Sequence, residues 1–146
     1  MGKLTWVLAL ACAGCGGLSD SGNVGYPFAI TCVDGFSDEQ TAEIWGAAGE
    51  WRDRSDGRVD LEPGDDCTLR VRPWHGAKVG GVDAAGLTLG ESIQLNPDEP
   101  AFYIMSLHEF GHYVSGYTHS RDPADVMFPG YTGQTHLTDR DVARLP

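Results

Sequence analysis

The pentapeptide His108-Glu109-Phe110-Gly111-His112 does most to restrict how this chain can fold. In a helix, residues four apart lie about one turn apart, so both imidazoles project from one face. Tyr103, Leu107, Phe110 and Val114 recur at helical spacing and form an apolar stripe on another side. Such a helix must dock on a core through the stripe and leave the two imidazoles facing a cleft. The spacing suits a pair of Zn–N bonds of about 2.0–2.1 Å. Glu109, rotated by one residue, lies near such a metal without ligating it, where a carboxylate can take a proton from water.

The rest of the pattern supplies a sheet for this helix. PFAITCVD, from Pro27, alternates as a strand does. Ser37 and Gln40 make a capping box, which predicts a helix with acidic residues in its first turn. Ile44, Ala48 and Trp51 are its apolar stripe, and Ser55-Asp56-Gly57 ends it. Val59 to Leu61, Thr68 to Val71 and Ser92 to Leu95 read as short strands, the last stopped by Asn96-Pro97. Asp98-Glu99-Pro100 should open the histidine helix, with carboxylates at its positive end. A final short helix is expected around Thr138 to Leu145. This order is an α+β or three-layer α/β arrangement, and 146 residues favour one domain.

MGKLTWVLALACAGC has one basic residue, Lys3, before a short apolar run and then small residues, the layout of a secretory signal peptide. A membrane-spanning helix needs about 20 apolar residues, more than this run offers. Two cleavage readings compete. Ala11-Cys12-Ala13 fits ordinary signal peptidase, whereas Ala13-Gly14-Cys15 resembles the end of a bacterial lipobox, with Cys12 in place of the usual leucine. Cysteine parity favours the second: with Cys15 lipidated, Cys32 and Cys67 remain as an even pair, suited to a disulfide in an oxidising compartment. Two buried free thiols are the alternative. GGLSDSGNVG reads as a flexible tether. The expected organisation is a leader over 1–15, a tether over 16–26 and one domain over 27–146. The protein would then be a lipoprotein of the bacterial envelope, or secreted. A net charge of −11 with few, scattered basic residues argues against a nucleic-acid partner. Membrane contact is expected only through the lipid anchor.

No glutamate follows His112, so a zinc ligand from a downstream glutamate is excluded and His119 remains. HSRDPADVMFPGY, from His119, resembles the matrixin-like metzincin stretch H-S-x-x-P-x-x-x-M-x-P-x-Y, matching at Ser120, Pro123, Met127, Pro129 and Tyr131. Gly116 stands three residues before His119, as that family requires, so one extra residue lies between His112 and Gly116. A π-bulge or an irregular last turn through Tyr113 to Ser115 would absorb it, with Gly116 as a left-handed cap. His119 would still reach the metal. Strict counting puts Thr118 there instead, and threonine is a poor zinc ligand.

The resemblance covers most of residues 27 to 145 and implies a zincin-like α+β fold, a mixed twisted sheet on two main helices. It implies one catalytic Zn2+ held by His108, His112 and His119, with Glu109 as general base and Met127 as the Met-turn beneath the metal. Asp141 matches an aspartate that buttresses that turn. Pro129, Gly130 and Tyr131 would wall the pocket for the side chain after the scissile bond. The strand carrying Ile93 and Leu95 would hold an extended protein or peptide substrate by edge pairing. The implied activity is zinc-dependent endopeptidase; the alternative is a catalytically silent zinc-binding envelope lipoprotein. The chain departs from the family in lacking a cysteine-switch propeptide. It has only His75, with no His-x-Asp partner, for a second zinc, which is therefore not expected. Asp65, Asp83 and Asp98 leave calcium open, with surface solvation the reading adopted. His136 reads as a surface histidine.

Overall fold

A computed structural model describes residues 25–74, 78–79, 82–116 and 118–146; at 78, 79, 82 and 83 it describes the backbone alone. The stretch read as a leader, with Cys15, most of the stretch read as a tether, and His75 lie outside the described residues.

β1 (Phe28–Val33) runs into α1 (Asp38–Arg54) through the capping box that its residues predict. Ser37 Oγ accepts from the Gln40 N–H at 3.2 Å and Gln40 Oε1 accepts from the Ser37 N–H at 3.1 Å. β2 (Asp60–Pro63) and β3 (Leu69–Pro73) follow. β4 (Lys78–Val79) and β5 (Val82–Asp83) form a separate antiparallel pair. β6 (Gly86–Leu89) and β7 (Ser92–Leu95) precede α2 (Phe102–Ser115), and α3 (Asp139–Val142) closes the chain. The main sheet has five strands in the order β2-β1-β3-β7-β6. All its pairs are parallel except β6 with β7. The result is a mixed α/β fold, compatible with the expected α+β class.

One face of this sheet carries Ala29, Leu61, Leu69, Val71, Ile93 and Leu95, and the helices bury it. Trp51, fully buried on α1, donates its indole N–H to the Leu107 carbonyl at 2.9 Å and so ties α1 to α2 behind the histidines. α2 is more enclosed than a single stripe predicts. Every residue from Met105 to Val114 is buried, because α1, β6, β7 and the segment around Val126 pack around it.

Two boundaries differ from expectation. α2 begins at Phe102, after Asp98-Glu99-Pro100, and its first turn carries no acid; Ala101 is its N-cap, without a side-chain hydrogen bond. Tyr26 donates its N–H to the Tyr113 carbonyl at 2.9 Å, and Gly25 lies against the Val114 carbonyl, so these two tether residues belong to the packed domain.

Cys32 and Cys67 form the disulfide that parity favours, with Cα atoms 5.5 Å apart and a sequence separation of 35. It joins β1 to the entry of β3. Closing a loop of that length stabilises the fold by about 3–4 kcal/mol in the chain-entropy account. Replacing both cysteines by alanine should lower the unfolding free energy by about that amount, measured by denaturant titration.

Candidate metal centre and cleft

The centre is built from two elements, α2 and the segment that follows it. His108, His112 and His119 offer ring nitrogens that all lie within 4.8 Å of one another. His108 and His112 are only 2% and 3% exposed. His108 Nδ1 lies 2.6 Å from the Val126 carbonyl, and His112 Nδ1 lies 3.3 Å from the Gly116 carbonyl. A carbonyl can only accept, so both Nδ1 atoms carry the proton and both Nε2 atoms present lone pairs. Those two Nε2 atoms face each other at 2.9 Å. His119 Nε2 is buried and has no hydrogen-bond partner.

Electrostatics keeps this group neutral. Burial and then the charge of His112 push His108 well below its ordinary range, and the Val126 bond offsets only part of that. Burial and then His119 lower His112 to about 4, and burial followed by Arg144 lowers His119. Two Nε2 lone pairs facing each other at that distance repel unless a cation lies between them, and a proton is disfavoured there. The three rings fit a metal ion.

The π-bulge expected between His112 and Gly116 from the resemblance is absent from α2. α2 stays regular to Ser115, and the Gly116 N–H bonds to the His112 carbonyl at 3.1 Å. Gly116 then takes φ 96° and ψ 175°, a conformation essentially restricted to glycine and not the left-handed helical cap expected. The chain leaves the helix in a new direction, and His119 faces the pair. Thr118 is exposed and bonded elsewhere.

Glu109 is buried against β6. Its Oε2 accepts from the Thr88 hydroxyl at 2.6 Å, its Cγ and Oε1 approach Gly86, and Oε1 is buried without a hydrogen-bond partner. Burial pushes the carboxyl up to about 8, partly offset by Thr88. A cation at the histidines draws it back down. The group is therefore suited to taking a proton and returning it.

Met127 is fully buried, and its Sδ lies beneath Gly111, where a Cβ would come within 2.1 Å of it. Asp141, at 0% exposure, accepts from the Val126 N–H and the Met127 N–H, each at 3.0 Å, and from Thr138. This is the turn support that the resemblance assigns to Asp141. Beside His108 is a cavity of about 20 Å³ lined by Ile104, Met105, Val126, Phe128, Gly130 and Tyr131, with room for little more than one water. Of the three residues read as a pocket wall, Gly130 and Tyr131 line this cavity and Pro129 does not.

The strand assignment at the cleft is corrected. Ile93 and Leu95 are core residues, 1% and 0% exposed, on a strand paired on both sides. The edge strand beside Glu109 is β6. GLTLGESIQLNPDE, from Gly86, resembles the cleft-lining segment of the family, but alternation does not mark residues 86–89 as a strand of their own, because the inward Gly86 and Thr88 are not apolar while Leu87 and Leu89 face outward. His136 is exposed, as expected, and lies 3.2 Å from Glu50. Compared with protein-family models and with curated proteins, the chain matches none of either.

Asp141→Asn should turn an NH2 towards one of the two backbone N–H groups. The expected loss is about 1.5–3 kcal/mol for each charge-assisted bond removed, read from denaturant unfolding.

Proposed function

We propose that this chain is a zinc-dependent endopeptidase of the metzincin kind, with a matrixin-like, zincin-type fold. The observation that carries the reading is the hydrogen-bond pattern on the histidines. His108 and His112 each commit Nδ1–H to a backbone carbonyl, so both Nε2 lone pairs converge beside the unpartnered Nε2 of His119. An all-imidazole donor set next to a carboxylate suits zinc. When bound, zinc supplies a Lewis acid with one open position, lowering the pKa of water there towards about 7.

The chain's own residues do the rest. Glu109 Oε1 takes the proton from the attacking water, while Thr88 holds Oε2 in place. The same carboxyl returns that proton to the departing amine nitrogen, so the group ends as it began. β6 offers its edge to an extended peptide, and the cavity beside His108 receives the side chain after the scissile bond. A catalytically silent binding protein gives no reason to bury a carboxylate oxygen without a partner, at a cost of about 1–3 kcal/mol or more.

Incubating the purified protein with denatured protein, with and without a zinc chelator, tests the activity. Glu109→Ala should retain zinc and lose turnover by at least about a hundredfold, and His119→Ala should lose zinc affinity by orders of magnitude. Turnover that persists in Glu109→Ala, or in chelator, sinks the mechanism. Cleavage sites mapped by mass spectrometry in a peptide library should favour small residues after the scissile bond, in keeping with a cavity of about 20 Å³.

A further inference from the structure

The residues on both sides of His119 are held by hydrogen bonds. Thr118, the residue before it, accepts from Arg144 Nη2 at its carbonyl (2.7 Å) and at its hydroxyl (2.6 Å). Ser120, the residue after it, donates its hydroxyl to Asp125 Oδ2 at 2.6 Å, and its N–H bonds the Met127 carbonyl at 2.7 Å. Asp125 is 1% exposed and is itself fixed by Arg140 Nε at 3.0 Å and Thr138 Oγ1 at 2.7 Å. Arg140 is on α3 and Arg144 is just beyond it, four residues on. The guanidinium of Arg144 also has a buried Nε without a partner. Its placement therefore carries a cost that its two bonds to Thr118 must offset.

We infer that Arg144 and Asp125 are positioning residues for His119, which make it, and not Thr118, face the His108–His112 pair. The inference rests on reading the three histidines as metal ligands. A segment with one extra residue has more conformers to choose among, and order at its far end has to come from contacts. Gly116 sets the exit from the helix, and the two clamps set the approach to His119. With its hydroxyl engaged by Arg144, Thr118 is kept from the place that strict counting gives it.

Charge alone predicts the opposite effect. The Arg144 cation acts on all three imidazoles with the sign that opposes a second cation there. If only charge mattered, removing Arg144 would tighten metal binding. A positioning role predicts weaker binding, in the range of about 10–100-fold that supporting contacts to metal ligands typically provide.

The test is zinc affinity by chelator competition, together with the cobalt(II) visible spectrum, which reports ligand set and coordination number. The full chain is compared with Arg144→Ala, Arg144→Lys, Ser120→Ala and His119→Ala. Arg144→Ala and Ser120→Ala should each bind zinc about 10–100-fold more weakly, with cobalt spectra shifted towards that of His119→Ala. Arg144→Lys should recover part of the loss. Ser120→Ala removes one hydroxyl near the surface and keeps the question answerable should Arg144→Ala fold poorly. Wild-type affinity and spectrum in both alanine variants, or tighter binding in Arg144→Ala, overturns the inference while leaving the metal site intact. Equal affinity in wild type and His119→Ala overturns the metal reading itself, and this inference with it.

Discussion

Asp141 is the contact on which the rest of the centre depends. Its carboxylate accepts the backbone N–H groups of Val126 and Met127, which fixes the path of that turn under α2. The Val126 carbonyl is then positioned to receive His108 Nδ1–H, and the Met127 sulfur fills the space that Gly111 leaves. One buried carboxylate thus sets a ring orientation, a tautomer and the packing beneath the helix. Charge-assisted bonds to backbone are among the stronger polar contacts available to a protein. They add direction to the apolar packing of Val126 and Met127, which are core residues themselves.

The centre combines two opposite strategies for buried polar groups. Around it, hydrogen bonds are closely satisfied: Asp125 has Ser120, Thr138 and Arg140, and Gln134 spans the carbonyls of Pro123, Asp125 and Gly130. At its middle, His119 Nε2 and Glu109 Oε1 are buried without a hydrogen-bond partner. Satisfied neighbours hold unsatisfied groups in a costly arrangement, which is how a protein keeps reactive atoms in place. The disulfide and the Trp51 bond serve the same end from further away, since they fix the sheet and α1 against which α2 is pressed.

Much of this was legible in local pattern. The capping box at Ser37, the stripe of α1, the His108–His112 spacing and the cysteine pair each depend on residues a few positions apart, or on parity, and each is found as read. Edge strand β6 was not legible as an element. Its buried face is cut for Glu109, with Gly86 and Thr88 inward, so hydrophobic alternation points the wrong way. For the same reason Ile93 and Leu95, the better apolar pair, belong to the strand one place further in.

What the amino-acid order determined by itself is the helix that carries His108, Glu109 and His112, since helical spacing alone puts both rings on one face. It also determined the bridge between the only two cysteines within the described residues. Which residue would complete the trio was decided by tertiary structure. Strict counting from His112 points to Thr118, because a one-residue change matters to a regular helix, whereas the pattern after Gly116 points to His119, the residue found beside the pair. In space the count matters less: Gly116 turns the chain out of α2, Arg144, distant in sequence, bonds Thr118, and Asp125, itself held by Arg140 and Thr138, bonds Ser120. Long-range contacts choose one conformer of a short segment, and no periodicity within the segment records that choice.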